Sequence, residues 1–206
     1  MRIGIDFDNT LACYDRGFTN LARDWEITGV DERQTKQGIR QIVRRKINGE
    51  LLWQRLQGTV YGLRMSSAEQ FSGEDHFLRR CTATPGLQVF IVSHKTEFGH
   101  FDETRTNLRD AARQWMRDKG FFDPAIYAIP ESHLFFKATQ EEKVACIASL
   151  QCDIFIDDLA DLFLNPSFPP GTKRILFTNG EPHESLAQVD HICACWSEIE
   201  RLVFGS

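Results

Sequence analysis

The sequence predicts an α/β fold, a parallel sheet with helices on both faces, plus an all-helical module inserted after its first strand. Three observations carry this reading. Apolar runs short enough for buried strands recur at residues 2–7, 89–93, 154–158 and 174–177,. Helical patterns stand between the later runs, the alternation expected of a parallel sheet covered on both sides. Between the first two runs lie about seventy residues of helical pattern with no strong strand signal, far more than a crossover needs.

At 206 residues the chain suits one ordinary domain, or a core carrying an inserted module,. Apolar residues make up 42% of it, enough to build a core and to argue against disorder,. The net charge of -5 argues against a dedicated binder of nucleic acid or another polyanion, while leaving room for a local basic patch,. No apolar run approaches the length of a membrane span. Asp6 and Asp8 interrupt the first run where a signal peptide would need it unbroken,. The expectation is a cytoplasmic protein with no membrane or nucleic-acid partner; its oligomeric state is not legible. Cys13, Cys81, Cys146, Cys152, Cys193 and Cys195 form no Cys-x-x-Cys pair. They read as buried thiols, with Cys193 and Cys195 on one face of a strand.

Each element has its own signal. Residues 2–7 (RIGIDF) form the first strand, and residues 11–17 a tight turn and flap beside the acids. Phe18, Leu21, Ala22 and Trp25 recur at helical spacing, with Gly29 placed to end that helix,. Ile39, Ile42, Val43 and Ile47 mark a second helix closed by Asn48-Gly49; Leu51, Leu52 and Leu56 mark a third, and residues 68–80 a fourth. Residues 13–81 therefore read as the helical cap, and residues 1–12 and 82–206 as the core. Pro85-Gly86 turns the chain back into the sheet,. The next helix keeps Leu108, Ala111, Ala112, Trp115 and Met116 on one face and stops at Gly120,. Residues 125–129 read as a short strand ended by Pro130. Thr139 and Glu142 make a capping box, so a helix runs from there to about Leu150,. Further strands are expected at 154–156, 174–177 and, at the edge, 191–195, with Ser197 and Glu200 capping a final helix.

Residues able to do chemistry gather at the strand ends. Asp6, Asp8 and Thr10 close the first strand in the stretch DFDNT. Two carboxylates two residues apart lie on one face of an extended chain. At the carboxyl end of a parallel strand, that face opens into a ligand crevice. Like charges this close repel unless a cation joins them or one takes up a proton. The pair therefore points to a divalent metal or to acid–base work; the structural alternative is a capped turn, which Asp, Asn and Thr all favour. The second strand ends at Ser93, followed by His94 and Lys95. The run at 154–158 ends at Asp157 and Asp158, with Asp161 just beyond. Two lysines precede it. Lys143 shares a helical face with Ile147 and Leu150 and stands in the first turns, where the helix dipole disfavours a cation; both facts favour it over Lys137,.

This ordered set resembles the haloacid dehalogenase (HAD) superfamily, whose four short motifs are Asp-x-Asp-x-Thr, a Ser or Thr after a strand, a Lys, and a closing acidic pair. The resemblance runs from residue 6 to residue 161. It implies a Rossmann-like parallel core, a helical cap that closes over the active site, and Mg²⁺-dependent hydrolysis of a small phosphomonoester through an aspartyl-phosphate. In those terms Asp6 is the nucleophile, Asp8 the general acid and base, and Lys143 the neutralising cation. Thr10, Ser93 and His94 contact the substrate. Asp6, Asp157 and the backbone carbonyl of Asp8 hold the Mg²⁺, with Asp158 or Asp161 in support. An acid at position 8 marks phosphatases and phosphomutases within the resemblance, rather than dehalogenases or transport ATPases. The rival readings are a phosphomutase or phosphotransferase, a phospho-accepting signalling domain, and a catalytically silent binding protein. The long insert argues against signalling, and the filled motif positions argue against silence. The expected partner is a small phosphorylated metabolite whose identity the sequence does not give. Arg40, Arg44, Arg45 and Lys46 form a basic cluster in the cap, read as a solvated helix face or as an attraction for an anionic substrate,.

Overall fold

The computed structural model describes residues 1–31, 34–99, 105–184 and 186–205. Its elements in chain order are β1 (Arg2–Ile5), β2 (Ala12–Cys13), α1 (Asp15–Asp24), α2 (Lys36–Arg44), α3 (Gly49–Tyr61), β3 (Glu69–Gln70), α4 (Glu74–Ala83), β4 (Gln88–His94), α5 (Leu108–Asp118), β5 (Leu134–Lys137), α6 (Gln140–Leu150), β6 (Ile154–Asp157), α7 (Ala160–Phe163), β7 (Lys173–Phe177), β8 (His191–Cys193) and α8 (Trp196–Phe204). Contacts divide the chain into two compact units, residues 1–12, 70–95 and 120–206, and residues 13–69 and 96–119. Among the described residues, no helix is long and apolar enough to cross a membrane.

The first unit is built on the sheet. Among the described residues its six strands pair in the order β5-β4-β1-β6-β7-β8, and each pairing is parallel. Ile3, Ile5, Val89, Ile91, Ile154, Ile156 and Leu176 are all buried, as strands covered on both faces require,. Phe90, Val92, Phe155 and Leu176 join Val144 and Ile147 of α6 in one core cluster. The neighbouring Phe177 points the other way and meets Trp196 of α8 at 5.7 Å, and Trp196 meets Phe77 of α4 at 5.0 Å. Alternation along β7 thus places helices on opposite faces. Gly4 is needed by close approach, because a Cβ there would run into the Phe155 ring,. The chain starts in the middle of the sheet, moves outward through β4 and β5, and returns through α6 to β6 on the other side of β1. The strand order reverses at β1, and at such a switch point α/β sheets take their ligands at the carboxyl ends of the strands, here β4, β1 and β6,.

The second unit is helical. Phe18 of α1 stacks on Trp53 of α3 at 4.9 Å, and Tyr14 meets Tyr61 at 4.6 Å. Thr35 caps α2 by accepting from Gly38 N, and Asn107 caps α5 by accepting from Arg109 N and Asp110 N,. α5 belongs here because Trp115 Nε1 donates to Ala68 O at 2.9 Å.

Several expectations are corrected. The division does not fall at residue 81. Residues 70–83 pack with the sheet unit, where Phe77 is held by Trp196 and Phe204, while residues 96–119 join the helical unit. The fourth helix starts at Glu74, not at 68. Residues 125–129 form a turn: Asp123 Oδ1 accepts from Ala125 N, Asp123 O accepts from Ala128 N, and Ala128 takes φ 51. The strand of this region is β5, which pairs with β4 through Ile91 and Leu134. The expected flap at 11–17 is instead the end of a turn, the short strand β2 and the start of α1. β8 stops at Cys193, which is buried, whereas Cys195 is exposed and leads α8, so Ser197 lies inside the helix rather than capping it.

Candidate active site

β1 and β6 bring the first two acids together. Asp6 N donates to Ile156 O at 2.9 Å, so Asp6 is still held by the sheet ladder. Ile5 is level with Ile156 in the register, which puts Asp6 level with Asp157. Both carboxylates are buried. They meet at Lys143, whose Nζ lies 2.5 Å from Asp6 Oδ1 and 2.6 Å from Asp157 Oδ2. The other oxygen of Asp157 accepts from Leu159 N at 2.8 Å, fixing the turn that follows β6.

The capping box places the lysine. Thr139 Oγ1 accepts from Glu142 N at 3.1 Å and Glu142 returns its carboxylate to Ala138 N at 2.9 Å, so α6 begins at Gln140,. Lys143 then falls on the inward side of the first turn, with its Nζ 5.5 Å from the centroid of the Phe155 ring that fits against Gly4,. Burial works against the Lys143 ammonium, and Asp157 and Asp6 outweigh it, raising the group above the usual lysine range. Burial pushes the Asp6 carboxyl up; Lys143 pulls it back, Asp157 and Asp8 push it further, and it ends at about 7,. Two buried acids sharing one ammonium are short of positive charge. Asp158 adds a third acid, with carboxylate oxygens of Asp6, Asp157 and Asp158 all within 4.8 Å of one another. An all-oxygen, carboxylate-rich donor set fits Mg²⁺.

The turn after β1 supplies the next groups. Leu11 N and Ala12 N both donate to Phe7 O, and Asn9 takes a left-handed φ of 60, which Asn tolerates,. Asp8 stands at the head of this turn. Thr10 is wholly buried, and its Oγ1 has no partner. Ser93, at the end of β4, is likewise buried with an unpartnered Oγ. Buried hydroxyls are normally satisfied. Two orphans at the carboxyl edge are donors ready for an anionic ligand.

Seven of the expected residues, Asp6, Asp8, Thr10, Ser93, Lys143, Asp157 and Asp158, share this edge. His94, the last residue of β4, is exposed, with Nε2 2.9 Å from Ala138 O. Asp161 is exposed in the first turn of α7. Lys137 lies with its Nζ 5.7 Å from the Phe135 ring centroid, and it is Lys143 that joins the two acids. Lys95 joins the residues of this edge. Lys95 is buried, and its Nζ lies 2.8 Å and 3.0 Å from the two carboxylate oxygens of Asp8. The signal was present in the sequence, since Ser93 and Lys95 are two residues apart on an extended chain and so share a face.

No family model matches the chain, and no curated protein matches its sequence. Solved structures do match. A HAD-superfamily hydrolase from Ehrlichia chaffeensis superposes with a TM-score of 0.58 at 11% identity, over 98% of this chain and 95% of its own. A HAD family hydrolase from Deinococcus radiodurans R1, with bound phosphate and sodium, gives 0.57 at 12% identity, over 98% and 94%. The putative HAD-hydrolase YfnB from Bacillus subtilis, bound to magnesium, gives 0.57 at 11% identity, over 98% of each chain. At such identities the likeness is one of fold. The sheet order, with its switch point at β1, and these superpositions together establish that the chain has the fold of the HAD-superfamily hydrolases.

Proposed function

We propose that the protein is a Mg²⁺-dependent phosphatase acting on a small phosphorylated metabolite through an aspartyl-phosphate. The observation that carries this reading is the joining of Asp6 and Asp157 by Lys143 beside two buried, unpartnered hydroxyls. In the first step a carboxylate oxygen of Asp6 attacks phosphorus, and the bond from phosphorus to the leaving oxygen breaks. Asp8 gives that oxygen its proton. In the second step Asp8 takes a proton from water as the water oxygen attacks phosphorus and frees Asp6. Lys143 offsets charge on Asp6 and on the phosphoryl group, and Thr10 and Ser93 donate to phosphoryl oxygens. Asp6, Asp157 and the backbone carbonyl of Asp8 would hold Mg²⁺, with Asp158 in support; the ion supplies charge neutralisation at the phosphoryl oxygens. The magnesium and the phosphate of two structural neighbours support this choice of cation and anion. The helical unit is the proposed cap, selecting the substrate.

The test is hydrolysis of 4-nitrophenyl phosphate. Turnover should require Mg²⁺, stop with EDTA, and vanish in Asp6→Asn. Transfer of the phosphoryl group to a second hydroxyl of a sugar phosphate, in place of release, would favour the mutase instead.

A further inference from the structure

We propose that Lys95 is a positioning residue for Asp8, holding the acid–base carboxylate in the orientation that the leaving oxygen needs. The inference rests on the role given to Asp8 above. Lysines are almost never fully buried unless paired, and Lys95 is 3% exposed. Its ammonium reaches both oxygens of Asp8, at 2.8 Å and 3.0 Å. A cation on both oxygens restrains rotation of the carboxylate, which a single contact would not.

The lysine is itself held on both sides. Its backbone N donates to Lys137 O at 2.9 Å, extending the β4–β5 ladder one residue beyond β4. Its Nζ sits 5.3 Å from the centroid of the Phe7 ring, inside the turn that carries Asp8,. Catalytic groups are placed best by neighbours that cannot themselves move. The arrangement matches that of the other lysine. Lys143 serves Asp6 and Asp157 over Phe155, and Lys95 serves Asp8 over Phe7. The two cations thus divide the work, one on the attacking side and one on the acid–base side. As Asp8 gives its proton to the leaving oxygen, negative charge develops on the carboxylate that faces Lys95, so the contact strengthens along the step. The competing role is a direct ligand of the phosphoryl group.

The experiment uses the full chain with Mg²⁺ and two substrates, phenyl phosphate, whose leaving oxygen needs a proton, and 4-nitrophenyl phosphate, whose leaving oxygen needs one much less. Lys95→Met should lower kcat on phenyl phosphate by about 10- to 100-fold, the usual range for a supporting partner of a site residue. The loss on 4-nitrophenyl phosphate should be smaller, with KM little changed on either. Lys95→Arg should recover part of the rate. The double variant with Asp8→Asn should be about as slow as Asp8→Asn alone, since the two residues act as a unit. Should Lys95→Met fail to fold, Lys95→Arg is judged by the same ratio between substrates. An equal loss on both substrates, a rise in KM, or additivity with Asp8→Asn would overturn the role and leave Lys95 a phosphoryl ligand or a structural pair. A wild-type protein inert toward both substrates would instead overturn the phosphatase reading, and this inference with it.

Discussion

At the carboxyl edge of the sheet, Asp6, Asp157, Lys95 and Lys143 are between 0 and 4% exposed, and the charges are held by one another. In the helical unit the basic stretch behaves differently. Arg44 and Arg45 are exposed, Arg44 pairs with Glu50 at 2.6 Å, and Lys46 donates to Thr28 Oγ1 at 2.9 Å. Exposed pairs of this kind contribute little, because water already solvates both partners. Buried charges are costly to desolvate and persist only where geometry and partners offset the cost. A sequence may place either kind of charge almost anywhere, but selection for stability alone gives no reason to bury four acids and bases at one strand edge. The contrast sets the buried charges of the sheet edge apart from the exposed Arg44 and Arg45 of the helical unit.

Substitutions test the two regions separately. The largest effect is expected at Asp6: Asp6→Asn should abolish turnover with the fold intact by circular dichroism, because an amide is no nucleophile. Asp8→Asn should slow turnover on the order of 10²- to 10⁴-fold, the usual worth of general acid–base help. Lys143→Ala should cost about 10²- to 10³-fold in kcat through lost charge stabilisation. Chemical denaturation should show that it also costs about 3–5 kcal/mol, because it leaves two buried carboxylates without their cation. Lys137→Ala should leave catalysis nearly alone; the reverse pattern in the two lysines would mean the wrong one has been assigned. Least of all is expected from Arg44→Glu with Arg45→Glu, whose kinetics should not change with ionic strength. A KM that rises at low salt in that pair would restore the basic stretch as a substrate-attracting surface.

How much of this was legible follows from the same physics. Strand ends could be read because β1, β4 and β6 are buried on both faces and so appear as unbroken apolar runs that stop at Asp6, Ser93 and Asp157,. Lys143 could be placed because a capping box fixes the helix start, and with it the inward face,. β5 is hard to read because its apolar run is only Leu134 to Phe136, while Tyr127 and Ile129 are apolar for a different reason, as the buried side of a turn. The unit boundary was missed because an amphipathic face does not name its partner. α5 looks like an ordinary crossover helix, yet Trp115 bonds Ala68 in the helical unit. Lys95 is harder to read, because a lysine next to a loop is usually exposed, although its spacing from Ser93 puts both on one face.

Attack by Asp6 would leave a covalent phosphoryl group on its carboxylate. Acid quenching of the protein during turnover of a phosphorus-32-labelled substrate with Mg²⁺, followed by proteolysis and peptide mapping, detects it. Label is expected on the peptide that carries Asp6, appearing in a burst and absent from Asp6→Asn. Steady turnover with no label on that peptide, or wild-type turnover in Asp6→Asn, would contradict it.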